Sequence, residues 1–248
     1  MKTVINPSTL RSFAYLNDGV LAGKPRGLVL DFMGLGGMSM FAEDTPRGVM
    51  FGKRGVLYCV PYLDPWNWMN PAAVRETDEI RDAIAEKTGA ADLLTVSSGG
   101  SMGGLACLVY ARYARVTPAA VAANCPVCDL PYHYTERPDL PRTLYAAFAS
   151  SEADTLEEAM KKASPLHLAM NGEMPRIPYA VFHCTADRAV NKEMHSDRFV
   201  KALSEYAEVE YVSVPDRGHC DLGEEMWARY DRTILGALGI AAEEEAGS

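Results

Sequence analysis

The chain has 248 residues, with 24 basic and 33 acidic side chains, a net charge of −9 and a pI near 5.1. A chain this long buries roughly 70–75% of its unfolded surface, enough for a core without disulfides or metal, and 48% hydrophobic against 23% charged residues is a globular mixture. The acidity argues against a nucleic-acid partner and, more weakly, against docking on anionic membranes, leaving a soluble protein that handles small molecules. Along the chain, short β-branched runs alternate with helical stretches. Residues 27–33 read as a buried strand that ends in Met33-Gly34-Leu35-Gly36-Gly37, and 55–62 as a second strand. An aromatic loop from Tyr62 to Asn70 leads into a helix over 70–88, and 91–97 reads as the third strand. A glycine cluster and a helix over 102–114 follow, then a strand over 119–127.

The segment from Asp129 to Ser164 breaks this rhythm. It holds Pro131, Pro138 and Pro141 and helical pieces at 143–150 and 155–163, which reads as a short helical lid. Strands at 179–185 and 209–214 and helices at 192–206 and 224–238 complete the series, with a frayed tail over 241–248. Nearly continuous apolar strands alternating with helices predict an α/β fold: a mostly parallel central sheet with helices on both faces. No charged-then-apolar leader and no run of about 20 apolar residues is visible, so a cytoplasmic protein that does not span a membrane is expected. The six cysteines lie mostly in apolar runs and are expected to be free. Cys125-Pro-Val-Cys128 has no second pair to complete a zinc site, so neither metal nor cofactor is expected.

Chemistry concentrates at Gly99-Gly100-Ser101-Met102-Gly103, a G-x-S-x-G pentapeptide between a strand and a helix. A serine on so sharp a turn needs small neighbours two residues away, and the helix start behind it aims unpaired N–H groups at a reacting carbonyl. A serine at its normal pKa is inert without a base and an orienting acid. The strand 179–184 runs on to Asp187, and the strand 209–214 is followed by a turn and His219, which gives the order Ser101, Asp187, His219. Asp216 competes as the acid, but its place before Gly218 marks it as a turn residue. His167, His183 and His195 read as capping, packing or surface histidines, while His133 lies in the lid and, with Tyr132 and Tyr134, could face the same cleft as the aromatic loop.

Gly-Gly-Ser101-Met-Gly-Gly, Ser164-Pro165-Leu166, His183-Cys-Thr-Ala-Asp187-Arg-Ala-Val190 and Gly218-His219 together resemble the α/β-hydrolase superfamily. The likeness is greatest to the catalytic domain of prolyl oligopeptidase and acyl-peptide hydrolase enzymes and their esterase relatives, and runs over about residues 26–238. It implies one α/β-hydrolase domain over the whole chain with a lid insertion near 129–164. It also implies a metal-independent serine hydrolase with Ser101 as nucleophile, His219 as base and Asp187 as orienting acid. The oxyanion donors by position are the N–H groups of Leu35 and Met102, although Met33 stands where such enzymes usually carry histidine. Gly34, Trp66, Trp68 and Tyr132 are candidate substrate contacts, and Asp64 and Glu136 are the only candidates for anchoring an amine. Gly34-Leu-Gly36-Gly37 follows a strand, yet Ser39 stands in the place of the third glycine of a dinucleotide fingerprint, so that reading is set aside. The expected substrate is a small or aromatic acyl ester, with a short peptide or amide as the alternative and a catalytically silent binding fold as the rival. A homodimer is compatible with the sequence.

Overall fold

The computed structural model describes residues 4–149 and 155–241; the predicted tail beyond 241 and Ser150 of the predicted lid helix lie outside them. Seven strands form one sheet: β1 (Ala14–Leu16), β2 (Gly27–Phe32), β3 (Val56–Pro61), β4 (Thr95–Gly100), β5 (Ala120–Asn124), β6 (Tyr179–Cys184) and β7 (Val209–Val214). Their order is β1-β3-β2-β4-β5-β6-β7, and only β1 runs antiparallel, against β3. The chain leaves β2 toward β3 on one side and comes back to β4 on the other. The loops after β2 and β4 therefore part at a crevice above their carboxyl ends, which is where open α/β sheets bind ligands.

The apolar runs are continuous because the sheet is covered twice. Leu28, Leu30 and Phe32 of β2 enter a core shared with α2 (Pro71–Thr88) and α3 (Met102–Tyr113). Val29, between them, enters a second core with α1 (Pro46–Lys53) and α9 (Gly223–Ala237). Period-two alternation is present in the geometry but hidden in the composition, since both faces are dry.

Three departures from the sequence reading have local causes. The third predicted strand lies later, at Thr95–Gly100, because Gly99 and Gly100 pair with Phe32-side and Asn124-side neighbours and extend the ladder through the glycine cluster. Helix α1 is an addition. Thr45 accepts from the Gly48 N–H at 2.9 Å, and Pro46 opens the first turn, an N-terminus signature readable in Thr45-Pro46. The predicted helix over 192–206 opens instead as a π turn, Glu193–Asp197, followed by α8 (Arg198–Leu203). That turn carries His195 and Ser196 fully inside.

The segment after β5 folds as α4 (Leu130–Glu136), α5 (Leu140–Phe148), α6 (Leu156–Lys162) and α7 (Pro165–Met170). Its two ends are stitched together: the Cys128 carbonyl accepts from Leu166 N at 2.8 Å and from Ser164 Oγ at 2.8 Å, and Ser164 Oγ accepts from Leu130 N at 3.1 Å. All six cysteines are free. Among the described residues no helix is long and apolar enough to cross a membrane.

Candidate active site

Ser101 sits at φ 59° and ψ −121°, outside the favoured regions for a residue with a side chain. The turn is held by Ser101 N donating to the Asn124 carbonyl at 2.9 Å, while the Ser101 carbonyl accepts from Leu105 N at 3.0 Å. Glycine is obligatory around it. A Cβ on Gly99 would lie 2.5 Å from the Gly103 carbonyl oxygen, and one on Gly103 would lie 2.0 Å from that of Phe32. Strand, turn and helix thus touch backbone to backbone.

Above this turn opens a cavity of about 450 Å³, within the size range of small-molecule sites. Ser101, His219, Gly34, Leu35, Trp68 and His133 line it, together with Arg137, Val190 and Cys220. Gly34 packs close over the serine, since a Cβ there would stand 3.9 Å from Ser101 Cβ. Among the described residues the N–H groups of Leu35 and Met102 donate to no protein acceptor. Met102 N is one of the free donors of the α3 start.

Asp187 and His219 meet directly, with His219 Nδ1 at 2.7 Å from Asp187 Oδ2. The carboxylate is fully buried yet well supplied: its Oδ1 accepts from Ala189 N at 2.8 Å and Val190 N at 3.0 Å, and His183 Nε2 lies 3.3 Å from Oδ2. Burial works to raise the Asp187 pKa, but the hydrogen bonds from His183 and His219 outweigh it, and the carboxyl is held below its ordinary value. Because His219 spends Nδ1 on Asp187, its Nε2 is left for the cavity side, 3.7 Å from Cys220 Sγ. Ser101 Oγ and His219 Nε2 share the cavity without a direct hydrogen bond. Burial works against a charged His219, but hydrogen bonds to Asp187 and Cys125 prevail, raising its pKa to about 9. Asp216 is exposed, stands at φ 55°, and gives its N–H to Thr185 Oγ1 at 2.9 Å, so it serves the turn.

Cys125 lies behind His219. It is fully buried, at φ 45°, and its Sγ accepts from Cys184 N and Cys220 N, each at 3.4 Å. Hydrogen bonding from Cys184 and then Cys220 pulls its thiol down against burial. The donor atoms of Cys125, His219 and Cys220 lie within 4.8 Å of one another, as do those of Cys125, His183 and Asp187. Both groups are already satisfied by protein hydrogen bonds. A third group, His133, Glu136 and His195, is spaced at 2.5 and 2.8 Å, which are hydrogen-bond separations rather than those of ligands spread around one ion.

The aromatic loop divides. Trp68 and Met69 stand at φ 43° and 48°, and Met69 N donates to Asn67 Oδ1 at 2.8 Å. Trp68 is buried against α5, giving its Nε1–H to Thr143 Oγ1 at 3.1 Å, and it walls the cavity. Trp66, by contrast, is 39% exposed and off the cavity wall. Tyr132 also lies off it, edge-on to His195 at 5.6 Å. Asp64 is exposed and caps its own loop by accepting from Trp66 N at 2.8 Å. The sequence offers His133 as a lid residue that could face the cleft, and it lines the cavity; Arg137 on the cavity and the inward turn of His195 are additions of the structure. The one local clue was the His133-x-x-Glu136 spacing, which puts both groups on one helical face. The partnership with His195 spans 59 residues and leaves no sequence signal.

No protein-family profile matches the chain, and no curated protein does. Solved structures do. A puromycin hydrolase S511A mutant superposes with a TM-score of 0.68 at 19% identity, over 89% of this chain and 35% of its own. A thermophilic esterase, Est2, from the Planctomycetes species Thermogutta terrifontis gives 0.67 at 19% identity, over 94% of this chain and 89% of its own. A puromycin-hydrolyzing peptidase of Mycobacterium tuberculosis gives 0.66 at 19%, over 90% and 36%. The chain therefore spans about a third of the puromycin hydrolases and nearly all of the esterase. At this identity the likeness speaks for architecture, and with the sheet order and the turn at Ser101 it establishes that the chain has the α/β-hydrolase fold.

Proposed function

We propose that this protein is a serine hydrolase of small carboxylic esters, built as one α/β-hydrolase domain with the segment near 129–164 as its lid. The observation that carries the reading is Ser101, on a strained turn, sharing one cavity with a histidine whose Nδ1 is held by a buried carboxylate. Ser101 Oγ attacks the ester carbonyl as His219 Nε2 takes its proton. The negative oxygen that forms is met by the N–H groups of Leu35 and Met102, which among the described residues have no other acceptor to give up. Collapse expels the alcohol, protonated by His219. Water, deprotonated by the same nitrogen, then cleaves the acyl-enzyme to release the acid. Asp187 keeps the Nδ1–H tautomer throughout. The longer gap between Ser101 and His219 closes when substrate binds, as is common for catalytic hydrogen bonds in empty sites.

Support for an ester comes from the neighbour matched over most of both chains, which is an esterase; that protein has also been solved phosphonylated by sarin. The puromycin-hydrolyzing neighbours favour a peptidase or amidase as the second reading. Matched p-nitrophenyl esters and p-nitroanilides of the same small acyl groups separate the two. Ester turnover at least a hundredfold faster per molar kcat/KM is expected. Equal or faster anilide cleavage would move the assignment to the peptidase, and inertness toward both would leave a binding fold.

A further inference from the structure

The lid segment places a polar array on the cavity whose proton positions can be worked out from its partners. His195 is fully buried, and its Nδ1 lies 3.1 Å from both Cys128 N and Asp129 N. Two backbone N–H groups aimed at one nitrogen require a lone pair there, so His195 carries its proton on Nε2. That proton goes to Glu136 Oε2 at 2.8 Å. The same oxygen lies 2.5 Å from His133 Nδ1. A carboxylate that accepts from one side keeps its lone pairs for the other, so His133 holds its proton on Nδ1 and presents a bare Nε2. Burial, the chief cause, holds the His133 pKa below its ordinary value, and Glu136 is held at about 2 by hydrogen bonds from His133 and His195 that outweigh its burial. Among the described residues His133 Nε2 has no protein partner, and it is not one of the sealed unpaired atoms, so it opens on the cavity its residue lines. The ring cannot turn away, being edge-on to Trp68 at 5.5 Å and to His195 at 5.4 Å.

We propose that His133 Nε2 is a hydrogen-bond acceptor for substrate, and that the protein selects esters carrying a hydroxyl or amide N–H donor on the part of the molecule lying against the lid. A donor is required because the acceptor is fixed by a chain of tautomers ending on backbone N–H groups. The Arg137 guanidinium, which lines the same cavity, is already paired with Asp139 at 2.7 Å, which leaves His133 Nε2 as the acceptor of this wall. The inference rests on the ester-hydrolase reading for its substrate class.

The test uses ester pairs matched in size and differing by one hydroxyl, placed in the acyl part in one series and in the alcohol part in the other. The wild type is expected to favour the hydroxylated member of at least one series by about two- to tenfold, through KM, which is the size of one neutral hydrogen bond. His133→Phe keeps the ring contacts and removes the acceptor. It should abolish that preference, so that the hydroxylated and plain esters of each pair give equal KM. Nitrogen-15 NMR of the wild type should show His133 protonated at Nδ1 and bare at Nε2, and Glu136→Ala should release that tautomer. No preference in either series, its survival in His133→Phe, or a protonated Nε2 overturns the proposal. Should the protein turn over no ester at all, the hydrolase reading fails on its own. The Kd values of matched non-cleavable ketones, with and without the hydroxyl, then still read the acceptor.

Discussion

In the proposed mechanism His219 stands between two demands: it has to be neutral to take a proton from Ser101, while its surroundings favour its charge. Facing it are Asp187, Cys125 and Cys220, with His183 behind Asp187. With its pKa raised to about 9, kcat/KM should climb with pH through about 9 rather than through the ordinary 6.5. Cys125→Ala removes one of the groups that favour the imidazolium, so the rising limb should move to lower pH. A limb near 6.5 in both proteins would contradict this account of the site. The sign for stability is opposite to that for activity. A folded pKa above the unfolded one contributes stability that is full below 6.5 and lost as pH rises through about 9. At this scale the sequence was informative where chemistry is local. The pentapeptide at Ser101 and the strand-end positions of Asp187 and His219 could be read directly. The tautomer chain through His195 could not, because a π turn after β6 brings that residue inward and nothing in its neighbours announces it.

The elements around Ser101 are joined by missing side chains. Gly103→Ala pushes a methyl into the Phe32 carbonyl at 2.0 Å, backbone against backbone, with nothing able to yield. A loss of about 3 kcal/mol or more is expected, read as a lower urea midpoint or as failure to fold. Gly34→Ala meets only ordinary contacts, 3.7 Å to the Gly100 carbonyl oxygen and 3.9 Å to Ser101 Cβ. It should fold with the wild-type midpoint and lose activity on bulky acyl groups, because its methyl stands over Ser101, the proposed nucleophile. Equal midpoints for the two variants would sink this view of the turn. The strand–turn–helix order was legible, but the extent of β4 was not. Glycines disfavour strands by propensity, and only pairing of Gly99 with both β2 and β5, and of Gly100 with β5, draws them into the ladder. The aromatic loop shows the same limit. Its composition announced a wall of rings, while the positive φ at Trp68 and Met69 decides that Trp68 faces the cavity and Trp66 faces out.

Across the whole molecule, one cation ties distant parts of the chain together on the face away from the lid. Arg47 of α1 pairs with Asp31 of β2 at 3.0 Å and Asp231 of α9 at 2.6 Å. Its guanidinium lies 5.4–5.7 Å from the ring centres of Phe51, Tyr58, Trp227 and Tyr230. Asp31 also accepts from Ser98 Oγ at 2.6 Å and from Tyr58 Oη, so it fixes the strand that leads to Ser101. Arg47→Met strands two carboxylates and should cost about 3–5 kcal/mol in urea unfolding; a change below about 1 kcal/mol would show that the network carries no such weight. The two-faced sheet was legible from continuous apolar strands, but this cage was not, since it joins residues 31, 47 and 231 across helix α1, whose capped start at Thr45 is only a short signal. The central claim is that Ser101, His219 and Asp187 form one nucleophilic unit. It is tested most directly by a fluorophosphonate probe read by intact mass and peptide mapping. One adduct per chain, on Ser101, is expected, absent in Ser101→Ala and slowed by about a thousandfold or more in His219→Ala. No adduct on the folded wild type, or undiminished labelling of Ser101→Ala, would contradict it.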